Sequence, residues 1–463
     1  VPRADSEGGL GTASKYWASA YIDAITTTGN VAVGGTLTIT GSTTGDGASF
    51  SSVTITNTLR LLGDLDVLNK AQSTYLTLAD RDTSGSEVVY NLAYLGTVSA
   101  TSYNGIPFFS DTGNASMYTH DVSATDSTAA GNTAYGFAAL DAVTTGDYNV
   151  AIGNETGGAI NTGERNVLMG YAAGDALTSG NYNTAIGHGA LSAEDTHSNN
   201  TAIGYKALNV QNAGADAYNV AVGFEAGKAV STGIENTIIG GNAGDALTTG
   251  QRNTAIGTYA LGADTTGQYS VAIGRGALAA QNFTGGEVSY NVAVGYDAGN
   301  DITTGTMNTL VGALTGDALT TGSRNTAMGI GALGTEDTGS RNTAFGYGSL
   351  GTLNYDGNGY NTAVGYETGT AMTTGVENTI IGGLAGDALT TGNYNIAIGH
   401  TALSTEDTGN KSVAIGHQAL LNQNYNGDAF NTAVGHNVGA AITTGVNNTL
   451  IGGIAGDALI DGG

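Results

Sequence analysis

The chain has 463 residues, with 76 glycines, 2 prolines, no cysteine and only 11% charged positions, so neither an ordinary globular balance nor a disulfide-stapled scaffold fits. Its formal net charge of −26 speaks against binding nucleic acid or an anionic membrane through a basic face. No run is apolar for long enough to cross a bilayer as a helix and no secretory leader is visible, while a start at Val1-Pro2-Arg3 fits a fragment or a processed product.

Residues 1–58 read as an N-terminal shaft or linker. Val31, Val33, Leu37 and Ile39 alternate with Ala, Gly and Thr, the period of a half-buried strand. Trp17 sits with Tyr16 and Tyr21, which suits an aromatic plug inside an assembly or a contact with an upstream component. Residues 59–128 read as a β-rich transition. Leu59, Leu61, Leu62, Leu65, Val67 and Leu68 open it, further strands are expected around Val88–Tyr90 and Leu92–Leu95, and Ile106-Pro107-Phe108-Phe109 comes after a turn at Asn104-Gly105. Such a segment would cap the first coil of the repeat region, since an open solenoid end exposes unpaired strands.

Residues 129–463 are built on one phrase, Asn-Thr-Ala-Ile-Gly at Asn183–Gly187, whose first position recurs nineteen times from Asn132 to Asn448, mostly 17 residues apart. A fixed short period means that each unit buries its apolar side only against its neighbours, so the predicted fold is all-β, a parallel β-solenoid (β-roll) of 17-residue coils. The fourth position is large and apolar (Ile152, Met169, Ile186, Val222, Phe345) and the third is usually Ala. Adjacent apolar positions suggest a strand covered on both faces, with the large residue inside the coil and Ala against a crowding neighbour such as a three-fold axis. The closing Gly marks one corner and Thr-Thr-Gly, as at Thr248–Gly250, a second, which implies two strands per coil.

A longer rhythm groups the coils in fours. Two have Gly eight residues after the anchor Asn (Gly227, Gly244) and two have Leu (Leu261, Leu278), after which the spacing stretches to 19 or 21, giving a block of about 70 residues. The second coil of each block enlarges the third position to Ile238, Leu310, Ile380 or Leu450, and the small residue after the closing Gly (Gly241, Gly383, Gly453, Ala313) is expected to compensate.

Signals for chemistry are sparse, and neither an enzyme nor a cofactor or metal site is expected. His188, His400, His417 and His436 each come directly after a closing Gly in separate coils, without metal-ligand spacing. Carboxylate pairs recur at Glu194-Asp195, Glu336-Asp337 and Glu406-Asp407, whereas glycoside hydrolysis needs two facing carboxylates in one unique cleft. Calcium at Asp175, Asp245, Asp317, Asp387 and Asp457 would lack the usual nonapeptide. The anchors Asn149, Asn183, Asn219, Asn253, Asn291, Asn361 and Asn431 are expected to form a structural amide ladder. The stretched fourth coils carry longer loops with Tyr218, Phe283, Tyr290, Tyr355, Tyr360, Tyr425 and Phe430, candidates for receptor contact or for rings folded back over the coil.

Ser270-Val271-Ala272-Ile273-Gly274 and Ser412-Val413-Ala414-Ile415-Gly416 resemble the head repeats of trimeric autotransporter adhesins. The 17-residue form, with Thr-Thr-Gly and Gly204-Tyr205-Lys206-Ala207-Leu208, is similar to repeats of phage and phage-like tail fibres, and Gly11 to Trp17 resembles their shaft segments. The resemblance implies a left-handed, trimeric β-roll and a virion tail fibre whose partners are two further copies, other tail subunits at its ends and a host surface glycan or protein receptor. A cell-surface trimeric adhesin and a polysaccharide-degrading fibre are the alternatives. Three chains are also expected because a coil so rich in Ala, Gly and Thr buries little alone against an ordering cost of roughly 1–2 kcal/mol per residue. Eighteen steps of about 4.8 Å predict a roll roughly 86 Å long. Because Ile460-Asp461-Gly462-Gly463 replaces the Thr-Thr-Gly corner, a C-terminal cap beyond it is expected.

Overall fold

The computed structural model describes residues 128–461 throughout and, before them, the backbone of β1 (Ser102–Tyr103), β2 (Ile106–Pro107), β3 (Phe109–Asp111) and β4 (Ser116–Tyr118). All lie in the second of two compact units, Leu95–Gly463. The expected shaft, the Trp17 plug and most of the 59–128 transition lie outside the described residues. β1 and β2 pair antiparallel, as do β3 and β4, and β4 lies parallel to β5 (Thr133–Tyr135).

From β5 to β23 (Thr449–Ile451) run nineteen strands of three residues, one per coil, each parallel to the next. Their register is uniform: Ala185 faces Ala202 and Ile186 faces Ile203. It survives the stretched spacings, since Val271 faces Val292 and Thr343 faces Thr362, so the extra residues leave the stack as loops and do not shift it. The chain is a parallel β-solenoid of about nineteen coils, and no helix occurs among the described residues.

The two faces of the strand are assigned the other way round from the sequence expectation. The third-position residue points into the coil, with Ala151, Ala185, Ala202 and Ala255 fully buried, while the fourth points out, Met169 remaining 41% and Met328 47% exposed. The cause is the filling of the coil from its far side. Leu191, Leu208, Leu261 and Leu278, eight residues after their anchors, and Ile160, Leu177, Leu247 and Ile302, eleven after, are all buried, so in most coils the strand contributes only a methyl group.

Each coil also has one strand where two were expected. The return limb contains two left-handed residues, for example Lys206 (φ 52°) and Leu208 (φ 48°), which bend it too sharply for a strand. It still keeps a backbone bond to the next coil, as from Leu191 N–H to the Ala207 carbonyl (3.0 Å) and from Leu208 N–H to that of Ala226 (3.1 Å). The closing corner does require glycine: at Gly187, φ is +136° and a Cβ would lie 2.3 Å from the Gly204 carbonyl oxygen.

The bulk of Ile238 is compensated elsewhere than expected. A Cβ on Gly241 would meet nothing within 4 Å, whereas one on Gly227 would sit 2.9 Å from Ile238 Cδ1 and one on Gly299 2.8 Å from Leu310 Cδ1. The glycines eight residues after the anchor therefore make room for the enlarged third position.

Asn149, Asn183, Asn219, Asn253, Asn291, Asn361 and Asn431 are all buried. The Oδ1 of one anchor accepts the backbone N–H of the next, as from Asn166 to Asn149 (3.0 Å), Asn200 to Asn183 (3.0 Å) and Asn236 to Asn219 (2.8 Å). In most coils its Nδ2 donates to the corner carbonyl fourteen residues on, Gly163 for Asn149 (2.8 Å), His197 for Asn183 (3.0 Å) and Gly267 for Asn253 (2.8 Å). Each amide thus satisfies one N–H and one C=O that the corner would bury unpaired.

Candidate interaction surface

With the interior filled from the return limb, the strand's outward positions decide what the molecule presents. The fourth-position column is Ile, Val, Met or an aromatic throughout, and the second is Thr, Val or Ile. Two rims flank it, formed by the residue before each anchor and the residue after each closing Gly. All but five of the exposed large apolar side chains among the described residues fall on these four columns, the exceptions being Val210, Tyr259, Leu314, Ile454 and Ile460.

The rims are stacked. After the closing Gly, Tyr171, His188, Tyr205 and Phe224 form a continuous ring column with centroids 5.0, 5.4 and 5.2 Å apart, and His400, His417 and His436 another at 5.5 and 4.9 Å. Before the anchor, Arg165 lies between the rings of Tyr148 and Tyr182, and Arg252 over Tyr269. The residues before the anchor hold left-handed backbones, Tyr182 at φ 56° and Arg252 at 57°, where bulky residues are uncommon. Stacking on the coils above and below is what opposes that strain.

The seven loop aromatics divide between the two fates considered for them. Tyr218, Tyr290, Tyr360 and Phe430 are about half exposed and are members of the rim before the anchor. Phe283 is buried, and Tyr355 and Tyr425 are half-buried, with Tyr355 packed on the core. The long loops also add bridges to the corner below, Gln268 to Val288, Ser340 to Asn358 and Asn410 to Asp428. Sequence reasoning missed the rims of the other coils, although Tyr148, Tyr171, Tyr182 and Tyr205 occupy the same two places in the period.

The carboxylate pairs do not face one another across a cleft. Glu194, Glu336 and Glu406 point into the coil, in the interior column otherwise held by Ile160, Leu177 and Leu247, and are fully buried, while Asp195, Asp337 and Asp407 are partly exposed. Asp264 takes the same interior place in another coil. Each is met by donors. Asp264 Oδ1 accepts Gly267 and Phe283 N–H (3.0 and 3.2 Å), and its Oδ2 accepts Gln281 Nε2 (2.6 Å). Glu406 accepts Gly409 N–H (2.7 Å), Gln423 Nε2 (2.9 Å) and Tyr425 N–H (3.3 Å). Glu336 has Gly339 and Tyr355 N–H (2.7 and 3.3 Å), with apolar Leu353 where a Gln stands in the other coils. Burial pushes the carboxyls of Asp264, Glu336 and Glu406 above the usual range, against the pull of these donors.

The histidines directly after the closing Gly are rim residues in ring stacks. His197 is different: its Nδ1 meets the buried Glu194 Oε1 at 2.7 Å, with Asp195 3.9 Å away, a close group in which the ring already braces the acid. In the Asp column, Asp245 faces Lys228 (3.5 Å), and Asp175 Oδ1 and Asp387 Oδ1 are buried without a partner. None of these five aspartates belongs to a set of three carboxylate or imidazole ligands within mutual reach among the described residues. No protein-family model matches the chain, and no curated protein matches it. The surface itself must carry the functional reading.

Proposed function

We propose that the protein is a structural fibre that assembles through its outward strand face. The carrying observation is the concentration of exposed apolar and aromatic side chains on that face. From the second to the fourth position it is about 7 Å broad, and over eighteen steps of about 4.8 Å it covers roughly 600 Å² before the rims are added. With Thr in most places of the second column the strip is partly polar; it reaches the top of the range for the largest patch of a monomer, about 300–600 Å², and the rim aromatics extend it further. Copies of the same chain match it best, because an identical solenoid offers the same rung spacing along its whole length.

Three copies, a virion tail fibre of a phage or phage-like particle, and contact with a host surface glycan or protein receptor are the finer parts of this reading, supported by the resemblance of the repeats. The four-coil block of about 70 residues would be the unit of length. Sedimentation equilibrium tests the assembly: a mass of three chains is expected, with Ile256→Glu/Ile273→Glu, two outward substitutions, giving folded single chains. A wild-type protein that stays a stable monomer at micromolar concentration overturns it.

A further inference from the structure

We infer that the groove between the long loops 354–360 and 424–430 binds a neutral oligosaccharide about three pyranose units long. The groove has a volume of about 580 Å³ and is bounded at its ends by Tyr355 and Asn426. That lies inside the usual range for small-ligand sites, roughly 300–1,000 Å³. Its floor crosses three coils, which present Thr374, Thr391 and Thr408 in one row and Val376, Asn393 and Asn410 in the next, with Tyr394 along one side.

Three features select the ligand class. First, no charged side chain lines the groove, in a chain whose formal net charge is −26. Hydroxyls, carboxamides and aromatic rings without charge suit a neutral polyhydroxylated chain, offering hydrogen bonds in both directions and ring faces for the apolar side of a sugar. Second, the threonine row repeats in all three coils and the carboxamides in the upper two, at the coil spacing of about 4.8 Å. That is close to the advance of one pyranose along an extended oligosaccharide, so successive sugars each meet a threonine hydroxyl and two of the three also a carboxamide. Third, the floor is held in place. Val376 N–H donates to Asn393 Oδ1 (2.8 Å) and Asn393 N–H to Asn410 Oδ1 (2.8 Å), which leaves the amide orientations set before any ligand arrives.

Neighbouring parts of the surface lack this combination. Asp356, the counterpart of Asn426 in the loop below, carries a carboxylate that accepts the Thr338 hydroxyl (2.8 Å). The groove around Lys206, Glu225 and Lys228 is charged, and Lys228 is already paired with Glu225 (2.5 Å). The glycan site rests on the fibre reading for its biological setting, but its geometry lies within one chain.

Saturation-transfer NMR on the full chain tests it, with maltotriose, cellotriose and tri-N-acetylchitotriose as neutral probes and 3′-sialyllactose as the charged control. Transfer to at least one neutral trisaccharide is expected, and little to the sialylated one. Asn426→Asp, which installs the residue native to the loop below, and Thr391→Val should each weaken binding by about tenfold, the loss of one well-placed polar contact. Absence of transfer to all three neutral probes, or binding unchanged in both variants, overturns the site. Sedimentation of the same samples separates the two readings: a trimer that binds no trisaccharide removes the groove and leaves the assembly, whereas a monomer that binds does the reverse.

Discussion

The coils closed by the anchor amide alone and the coils in which an interior glutamine joins the anchor differ at one place in the repeat. In the Asn236 coil a single buried amide takes the Asn253 N–H (3.0 Å) and donates to the Gly250 carbonyl (3.0 Å). In the Ser412 coil the short hydroxyl cannot reach so far, and Gln423, from the interior column, bridges Ser412 Oγ (2.7 Å), Glu406 (2.9 Å) and Asn431 Nδ2 (2.8 Å). Ser270 and Gln281 repeat the arrangement with Asp264. The Asn200 coil keeps its Asn anchor and still carries a relay, Gln211 joining Glu194 (3.2 Å) and Asn219 Nδ2 (2.9 Å), whereas beside Asn342 the interior residue is Leu353 and none forms. The relay puts an acid and an amide inside an apolar column, at a desolvation cost offset only if every member is satisfied.

The largest effect is expected from removing the single buried amide. Asn236→Leu leaves a buried N–H and a buried C=O unpaired at about 1–3 kcal/mol each, so hydrogen exchange at Asn253 and the flanking coils should accelerate strongly while distant coils stay protected. Unchanged protection would mean that the ladder is incidental to the stack.

The relay should show coupling. Gln423→Leu alone leaves Glu406 with only the Gly409 and Tyr425 N–H groups and takes the Nε2 donor from Ser412, an expected cost of about 1–3 kcal/mol, whereas Gln423→Leu with Ser412→Asn copies the Asn342/Leu353 pair and should recover most of it. Chemical denaturation of the two single variants and the double variant gives the coupling. Additive losses would show that the two corners are not alternatives.

A smaller effect is expected from pH. Because the folded-state pKa values of Asp264, Glu336 and Glu406 are raised above those of the unfolded chain, the folded form binds more protons between them. Their contribution is fully present below the unfolded carboxylate range, about 4, and is lost as pH rises through the raised values. Thermal melts of Glu406→Gln and the parent should therefore differ more at pH 7 than at pH 4, with the parent gaining on acidification. A parent that loses relative to the variant on acidification has the sign reversed. Least of all should come from Glu235→Gln, since its bond to Arg252 (2.6 Å) joins two well-exposed side chains; a melting temperature indistinguishable from the parent is expected.

The period, the anchors and the in-register stacking were legible in the sequence because a repeat places every residue on its own copy. Which face pointed inward was not. A three-residue strand such as Thr184–Ile186 alternates identically either way, and the deciding residues, Leu191 and those eleven after the anchor, lie in the return limb. The second strand failed for a related reason: Lys206 and Leu208 hold left-handed conformations with no glycine to announce them. The candidate surface was half legible. Tyr218, Tyr290, Tyr360 and Phe430 stand out because loops precede them, while the same column elsewhere, Tyr148 and Tyr182 among them, looks like ordinary turn sequence.

The exchange of volume between Ile238 and the glycines at 227 and 244 bears on how such a chain can change length. Adjacent strands are interchangeable in their backbone bonds, so nothing in the ladder itself prevents one coil from being skipped. The interior does. Removing residues 236–252 would bring Gly227 under Ala255 in place of Ile238 and open a void, a cost that grows by about 24 cal/mol for each Å³ left empty. Removing residues 291–360 would instead join Tyr290 to Asn361 and keep the order of large and small interior residues, with Ser270 and Gln281 in place of Asn342 and Leu353 below the joint. The packing thus acts as a combination lock on the register: slips of a single coil are rejected, whole-block deletions and duplications pass, and recombination can lengthen or shorten the protein in increments of roughly 19 Å without opening a void.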